Sequence, residues 1–195
     1  IINEMTHTLG FTTSLYNYFI DANGNKLTGH IISGTLDNAT STVVNVEPLT
    51  SRLRSFFGCP SLTGAFMENS GSSATAGSHF ERRQFAFEAM TSGLIYQQSY
   101  SQFSLAMLEG SGWYVANYTY ADPYWFGQGE GCNFLFGSCT DSGFSFPEFC
   151  TGSSRGCANP GRGGGFCQSD IRSDNCQFVH PDVTYDCDNT GAAAY

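Results

Sequence analysis

Asn3-Glu4-Met5-Thr6-His7-Thr8-Leu9-Gly10-Phe11 is the stretch of this sequence that carries the most chemistry. On a helix, residues four apart share a face, so Asn3 and His7 point the same way with Glu4 beside them. The string is one substitution from H-E-x-x-H, in which two His side chains face one zinc ion and the Glu serves as general base. Ile1, Ile2, Met5 and Leu9 recur at helical spacing and Gly10 is a stop, which predicts a short buried helix. A Gly three residues after the second His turns the chain so that a third His can reach the metal. Further on stand two more segments of note, Gly77-Ser78-His79-Phe80-Glu81-Arg82-Arg83 and Glu88-Ala89-Met90-Thr91-Ser92-Gly93.

Outward from these segments, Phe19-Ile20, the turn at 21–25 and Ile31-Ile32 predict a hairpin, because Asn23-Gly24 tolerates the positive φ of tight turns. Asp21, Asn23 and Asn25 imitate the start of a calcium loop. Lys26 and Ile32 stand where that loop needs its Gly and bidentate Glu, so a plain turn is expected. Pro48 opens, Leu49, Leu53, Phe56 and Phe57 line, and Gly58 ends a compact amphipathic helix. Residues 69–77, rich in Ser, Gly, Ala and Thr, predict a loop that delivers His79. A further helix is expected over 101–109, with Phe103, Ala106, Met107 and Leu108 apolar and Gly110 and Gly112 ending it.

The chain of 195 residues is 41% hydrophobic and 15% aromatic but only 13% charged, with 23 Gly, which predicts one folded, loop-rich unit. A net charge of -9 argues against nucleic acid and anionic membrane as partners. Of the 8 Cys, all but Cys59 fall between Cys132 and Cys187, in Gly- and Phe-rich sequence without helical periodicity. No pair has C-x-x-C spacing, so disulfides rather than a zinc knuckle are expected. The boundary reads near Asp122-Pro123, giving 1–122 and a Cys-rich extension over 123–195, with Gly161-Arg162-Gly163-Gly164-Gly165 as a flexible loop. The even cysteine count and the sequons Asn38-Ala39-Thr40 and Asn117-Tyr118-Thr119 predict passage through the secretory route. No apolar run reaches the ~18 residues of a membrane span. The start at Ile1, without Met or signal peptide, is read as the edge of a fragment of a longer secreted precursor.

Taken in order, the site segments together with Arg54-Ser55-Phe56-Phe57-Gly58-Cys59, Phe103-Ser104-Leu105-Ala106-Met107-Leu108-Glu109, Ser111-Gly112-Trp113-Tyr114, Trp125-Phe126-Gly127 and Gly131-Cys132 resemble the leishmanolysin family of cell-surface zinc metalloproteases. The resemblance covers roughly the first two-thirds of the chain. It implies an α+β fold, the C-terminal subdomain of a metzincin-like protease with few helices, long loops and a disulfide-rich C-terminal extension. It implies that Glu4 is the general base and acid, that His7 and His79 are ligands of one zinc ion, and that Met90 is the Met-turn residue forming an apolar floor. Asn3 departs from the family pattern, standing where the first His ligand belongs, and its neutral amide is a weaker zinc donor. The implied activity is zinc-dependent endopeptidase cleavage of protein or peptide substrates, at an extracellular or cell-surface location, and the resemblance allows membrane anchoring of the full-length protein. Asn3 keeps an alternative open, a catalytically inactive relative acting as a cell-surface adhesion or binding protein. His30 and His180 match no ligand position and are read as surface residues.

Overall fold

The computed structural model describes residues 1–36, 39–72, 75–93, 98–141, 143–158 and 163–186. It is a mixed α+β structure of short helices and two small antiparallel sheets joined by long loops. Helix α1 (Ile2–Leu9) ends at Gly10, whose φ of 141° is closed to most side chains. A Cβ there would also sit 3.2 Å from the Trp113 ring, so glycine lets the chain turn hard against that indole. After the short α2 (Thr13–Tyr16) the chain makes a tight hairpin, with Leu27 N–H donating to Phe19 O at 2.8 Å. The Asp21 carboxylate closes its turn by accepting from the N–H groups of Asn23 and Asn25 at 2.8 and 2.9 Å. The hairpin pairs Ile20 with Lys26 and leaves Ile31-Ile32 out. Those two open β1 (Ile31–Leu36), which pairs in register with β2 (Ala39–Val44), and β3 (Ala65–Phe66) completes the first sheet. Gly29, at φ 70°, redirects the chain between hairpin and strand, and that break is what the sequence pattern hid.

Helix α3 (Leu49–Phe57) follows Pro48 and ends at Gly58 in the left-handed region, as its apolar spacing predicts. Helix α5 (Gln102–Gly110) starts at Ser101, whose hydroxyl caps the N–H of Phe103. Between them lies the four-residue α4 (Arg82–Phe85), and α6 (Cys132–Phe136) follows α5. Phe57 is the hub of the core, with ring neighbours Phe56, Phe85, Phe103 and Phe134 at 5.0–6.3 Å. Phe126, Phe134 and Phe178, from beyond Pro123, belong to the same buried cluster.

The second sheet is β4 (Arg155–Cys157), β5 (Gly163–Ser169) and β6 (Gln177–Asp186), in that order. Disulfides join Cys59 to Cys132, Cys139 to Cys176 and Cys150 to Cys167. Cys157 is exposed with no disulfide partner among the described residues, and Cys187 lies outside them.

Four further sequence expectations are corrected. Helix α1 is not buried: Ile2, Met5 and Leu9 are exposed and only Thr6 is fully enclosed, because the polar edge of the helix faces the protein and its apolar stripe faces away. Gly163, Gly164 and Gly165 open strand β5 rather than forming a loop, since carbonyls of β4 and β6 are in reach of a chain without side chains there; 161–162 lie outside the described residues. His30 is buried, stacked on Phe19 and hydrogen-bonded through Nε2 to the Tyr16 carbonyl at 2.9 Å. His180 is half-buried and stacked on Phe178 at 4.5 Å. Among the described residues, no helix is long and apolar enough to cross a membrane.

Candidate functional site

Three chain segments meet beneath α1. His79, Phe80 and Glu81 run between the strand end at Phe66 to Glu68 and the turn at Met90 to Ser92. Glu68 N–H donates to His79 O, Phe80 N–H to Met90 O and Glu81 N–H to Phe66 O, at 2.8, 2.9 and 2.9 Å. Gly77 N–H returns to Glu68 O at 2.8 Å, so the loop over 69–77 is pinned at its base. The buried Glu68 adds side-chain ties, accepting from Ser70 N–H and from Ser92 Oγ at 2.9 and 2.8 Å. Residues 73–74 of that loop lie outside the described residues.

His7 and His79, separated by 72 positions in sequence, come together with their Nε2 atoms 3.2 Å apart. The opposite nitrogen of each ring faces a main-chain carbonyl: His7 Nδ1 lies 2.6 Å from Phe11 O and His79 Nδ1 3.0 Å from Thr75 O. A carbonyl only accepts, so each Nδ1 carries a proton, and whenever both rings are neutral each Nε2 presents a lone pair toward the other. Two lone pairs at that distance repel unless a cation lies between them. Burial holds the His79 pKa below its ordinary value, and the charge of His7 pushes the same way, against the Thr75 carbonyl and the carboxylates of Glu68 and Glu4. The neutral ring favoured there is the form that ligates metals.

Asn3 is oriented in a parallel way. Its amide Nδ2 donates to Ala89 O at 2.7 Å, which ties α1 to the residue before Met90. Each of the three side chains thus uses one nitrogen to hold a carbonyl, the arrangement that fixes metal-ligating histidines in a chosen tautomer. In Asn3 the remaining donor atom is Oδ1. Glu4, one position on, is solvent-exposed on the first turn of α1. Met90 is fully buried. No group of three or more His, Cys, Asp and Glu able to hold a metal occurs among the described residues, in keeping with Asn at the third position.

One residue the motif reading passed over organises the turn. Glu88, fully buried, accepts from Met90 N–H through one oxygen; through the other it accepts from Ser101 N–H, Ser101 Oγ and Ser104 Oγ at 3.2, 3.0 and 2.6 Å. It thereby joins the Met90 turn to the start of α5. The only sequence trace is Ser101 and Ser104 three apart on a helix, which is too common a pattern to have flagged it.

The leishmanolysin family model matches residues 1–182. A leishmanolysin-like peptidase of Drosophila melanogaster is 32% identical over 171 residues, 71% of this chain and 25% of that protein. The ciliated left-right organizer metallopeptidase of Xenopus laevis is 29% identical over 187 residues, covering 92% of this chain and 26% of its own length. The leishmanolysin of Leishmania major is 27% identical over 141 residues, 72% of this chain and 22% of that one. The chain spans about a quarter of the length of these relatives.

Proposed function

The chain belongs to the leishmanolysin family of metallopeptidases, and from that premise we propose that it carries the zinc-binding part of an endopeptidase acting on protein or peptide substrates. The observation that supports this most is the His7–His79 pair. Two nitrogens each ~2.0–2.1 Å from a tetrahedral zinc ion stand about 3.3 Å apart, and here they are 3.2 Å apart with both lone pairs inward. The residues therefore fit the metal, with His7 and His79 as strong ligands and Asn3 Oδ1 as a weak third.

Zinc held there would supply the Lewis acidity that polarises a scissile carbonyl. Glu4, on the same helix, takes the proton of the attacking water and delivers it to the leaving amine, the transfer that a carboxylate beside the reacting atoms performs. Phe11 O and Thr75 O each engage Nδ1 and so aim Nε2 of the two imidazoles at one point. The Met90 turn, held by Glu88, forms the floor. Three disulfides and an exposed sequon at Asn117 support a secretory-route location, extracellular or at the cell surface.

Zinc competition against a chromogenic chelator, with digestion of an unfolded protein substrate, tests the reading on the protein made from its whole coding sequence. Glu4→Gln is expected to keep zinc and lose hydrolysis, whereas His79→Ala loses both. Stoichiometric zinc that survives His79→Ala would refute the site. Asn3 itself favours a second reading, a relative that has given up catalysis and binds partners at the cell surface. Zinc-free protein with no peptidase activity would select it.

A further inference from the structure

The zinc site leaves unexplained why the two arginines that follow His79 are buried. Arg82 and Arg83 keep only 2% and 1% of their surface, although an ion taken out of water pays several kcal/mol in hydration. Such a pair is a poor source of stability compared with apolar packing, and its better-attested use is to fix register. Their contacts show which register.

Arg82 Nη1 donates to Ser92 O at 2.9 Å, two residues past Met90, and pairs with Asp170 Oδ2 at 3.1 Å. The other Asp170 oxygen accepts from Arg172 N–H at 2.9 Å and lies 3.3 Å from Arg172 Nε. Burial opposes the charge on Asp170, but the Arg172 N–H and the guanidiniums of Arg82 and Arg172 outweigh it and keep the pKa below the usual carboxylate value. Asp170 sits at the head of a one-turn 3-10 helix over Ile171–Ser173. That turn closes through Asn175 N–H to Asp170 O at 3.1 Å and is anchored by the Cys139–Cys176 disulfide. Arg83 reaches the other arm of the same disulfide, donating to Leu135 O at 3.3 Å and to Gly137 O. Gly93 lies against the same guanidiniums, where a Cβ would meet Arg172 Nη1 and would stand 2.7 Å from Arg82 Nη1. The turn after Met90 is thus pressed onto the arginines with no space between.

We infer that Asp170 is a positioning residue for the proposed zinc site: through Arg82 it locks the extended segment carrying His79 and the turn carrying Met90 into one register. The disulfide-stapled segment then acts on the metal centre rather than hanging beside it. His79 is only three residues from Arg82, and both ends of that short stretch are clamped, by Glu68 N–H on His79 O and by Asp170 on Arg82. Loss of the outer clamp frees the segment to slide against Ser92. The effect on zinc depends on the site as proposed above, whereas the effect on His79 does not, and the two are read separately.

The test uses Asp170→Asn, Asp170→Glu and Gly93→Ala, each checked for folding by far-ultraviolet circular dichroism. Asp170→Asn is expected to shift or broaden the His79 ring signals in nitrogen-15 spectra of the metal-free protein while leaving those of His30 in place. It is also expected to weaken zinc binding by about 10-fold, the low end of the loss seen when a ligand's direct hydrogen-bond partner is removed, because Asp170 acts through Arg82. Asp170→Glu, which restores the charge, should recover both. Gly93→Ala crowds Arg172 and Arg82 without removing a charge and should reproduce the Asp170→Asn result, so the proposal stays testable if Asp170→Asn does not fold. Folded Asp170→Asn or Gly93→Ala protein with unchanged His79 signals and zinc affinity overturns it, as does Asp170→Glu no better than Asp170→Asn. A wild-type protein that takes up no zinc refutes the metal reading alone, and the His79 signals then decide the role of Asp170.

Discussion

Replacing Asn3 by His should turn a two-imidazole site into a three-imidazole one, and the structure indicates that the side chain fits. Asn Nδ2 and His Nδ1 are both bonded to Cγ, so the new ring can keep the bond to Ala89 O that Asn3 now makes at 2.7 Å. With that bond kept, Nε2 extends one bond further than Asn Oδ1. All three rings would then donate Nδ1–H to a carbonyl and present Nε2. A full four-ligand zinc site is worth ~10–16 kcal/mol, so one strong ligand accounts for roughly 3 kcal/mol, about two orders of magnitude in Kd. Asn3→His is therefore expected to tighten zinc binding about 100-fold. The assay is competition with a chelator of known affinity near neutral pH, where imidazoles are unprotonated; His79→Ala in each background serves as control. A wild-type protein that binds zinc within threefold of Asn3→His would refute the ligand-count argument, as would a variant no tighter than wild type that still folds.

Other consequences are open to direct measurement. Burial raises the Glu88 pKa to about 7 in spite of its serine and N–H donors. Because the folded pKa lies above the unfolded one of 4.5, its contribution to stability is complete below the unfolded value and is lost as pH rises through about 7. That loss is roughly 3 kcal/mol at ~1.4 kcal/mol for each tenfold change in proton affinity. Urea midpoints of wild type and Glu88→Gln should lie closest at pH 4, where both side chains are uncharged, and separate toward pH 8 as the wild type alone loses stability. Parallel curves would exclude Glu88 as the source; Tyr100 and Tyr124 are the neighbours that feel its charge. Removing the Cys59–Cys132 disulfide, which spans 73 positions, should lower stability by about 4 kcal/mol on the chain-entropy account, read from the same urea melts. Alkylation without reduction is expected to add no mass, since the even cysteine count predicts that Cys157 and Cys187 are oxidised as well; two added labels would contradict that.

How much of this was legible in the sequence follows from the range of each interaction. Helices α3 and α5 were readable because their determinants are local: apolar residues at helical spacing, Gly58 in the left-handed region, Ser101 as a cap. The hairpin turn was readable through Asp21 and Gly24, but its partner strand was not, because a break at Gly29 decides which residues follow the turn back. Helix α1 shows the limit most directly. Periodicity finds the apolar stripe Ile2, Met5 and Leu9, yet nothing in a period says whether the stripe faces the core. Here the polar edge faces inward, held by Asn3 on Ala89 O and by His7 on Phe11 O.

The site shows the same division at longer range. Helical spacing singled out Asn3, Glu4 and His7, and the family resemblance singled out His79 and Met90. Asp170 and Glu88 carry no such spacing, since a residue that acts by holding another needs only to arrive in space. Asp170 reaches Arg82 from 88 positions away, delivered by a turn that the Cys139–Cys176 disulfide fixes. A segment that composition sets apart as a Cys-rich extension therefore supplies the counter-charge for the arginine three residues after His79. Buried charge was the available warning: the run Glu81-Arg82-Arg83, directly after a candidate ligand and before Phe85, places three ionisable residues where the chain must enter the core. Charges forced inside require partners, and their partners had to come from some distant acidic residue. Sequence could pose that demand; only the fold could say that Asp170 meets it.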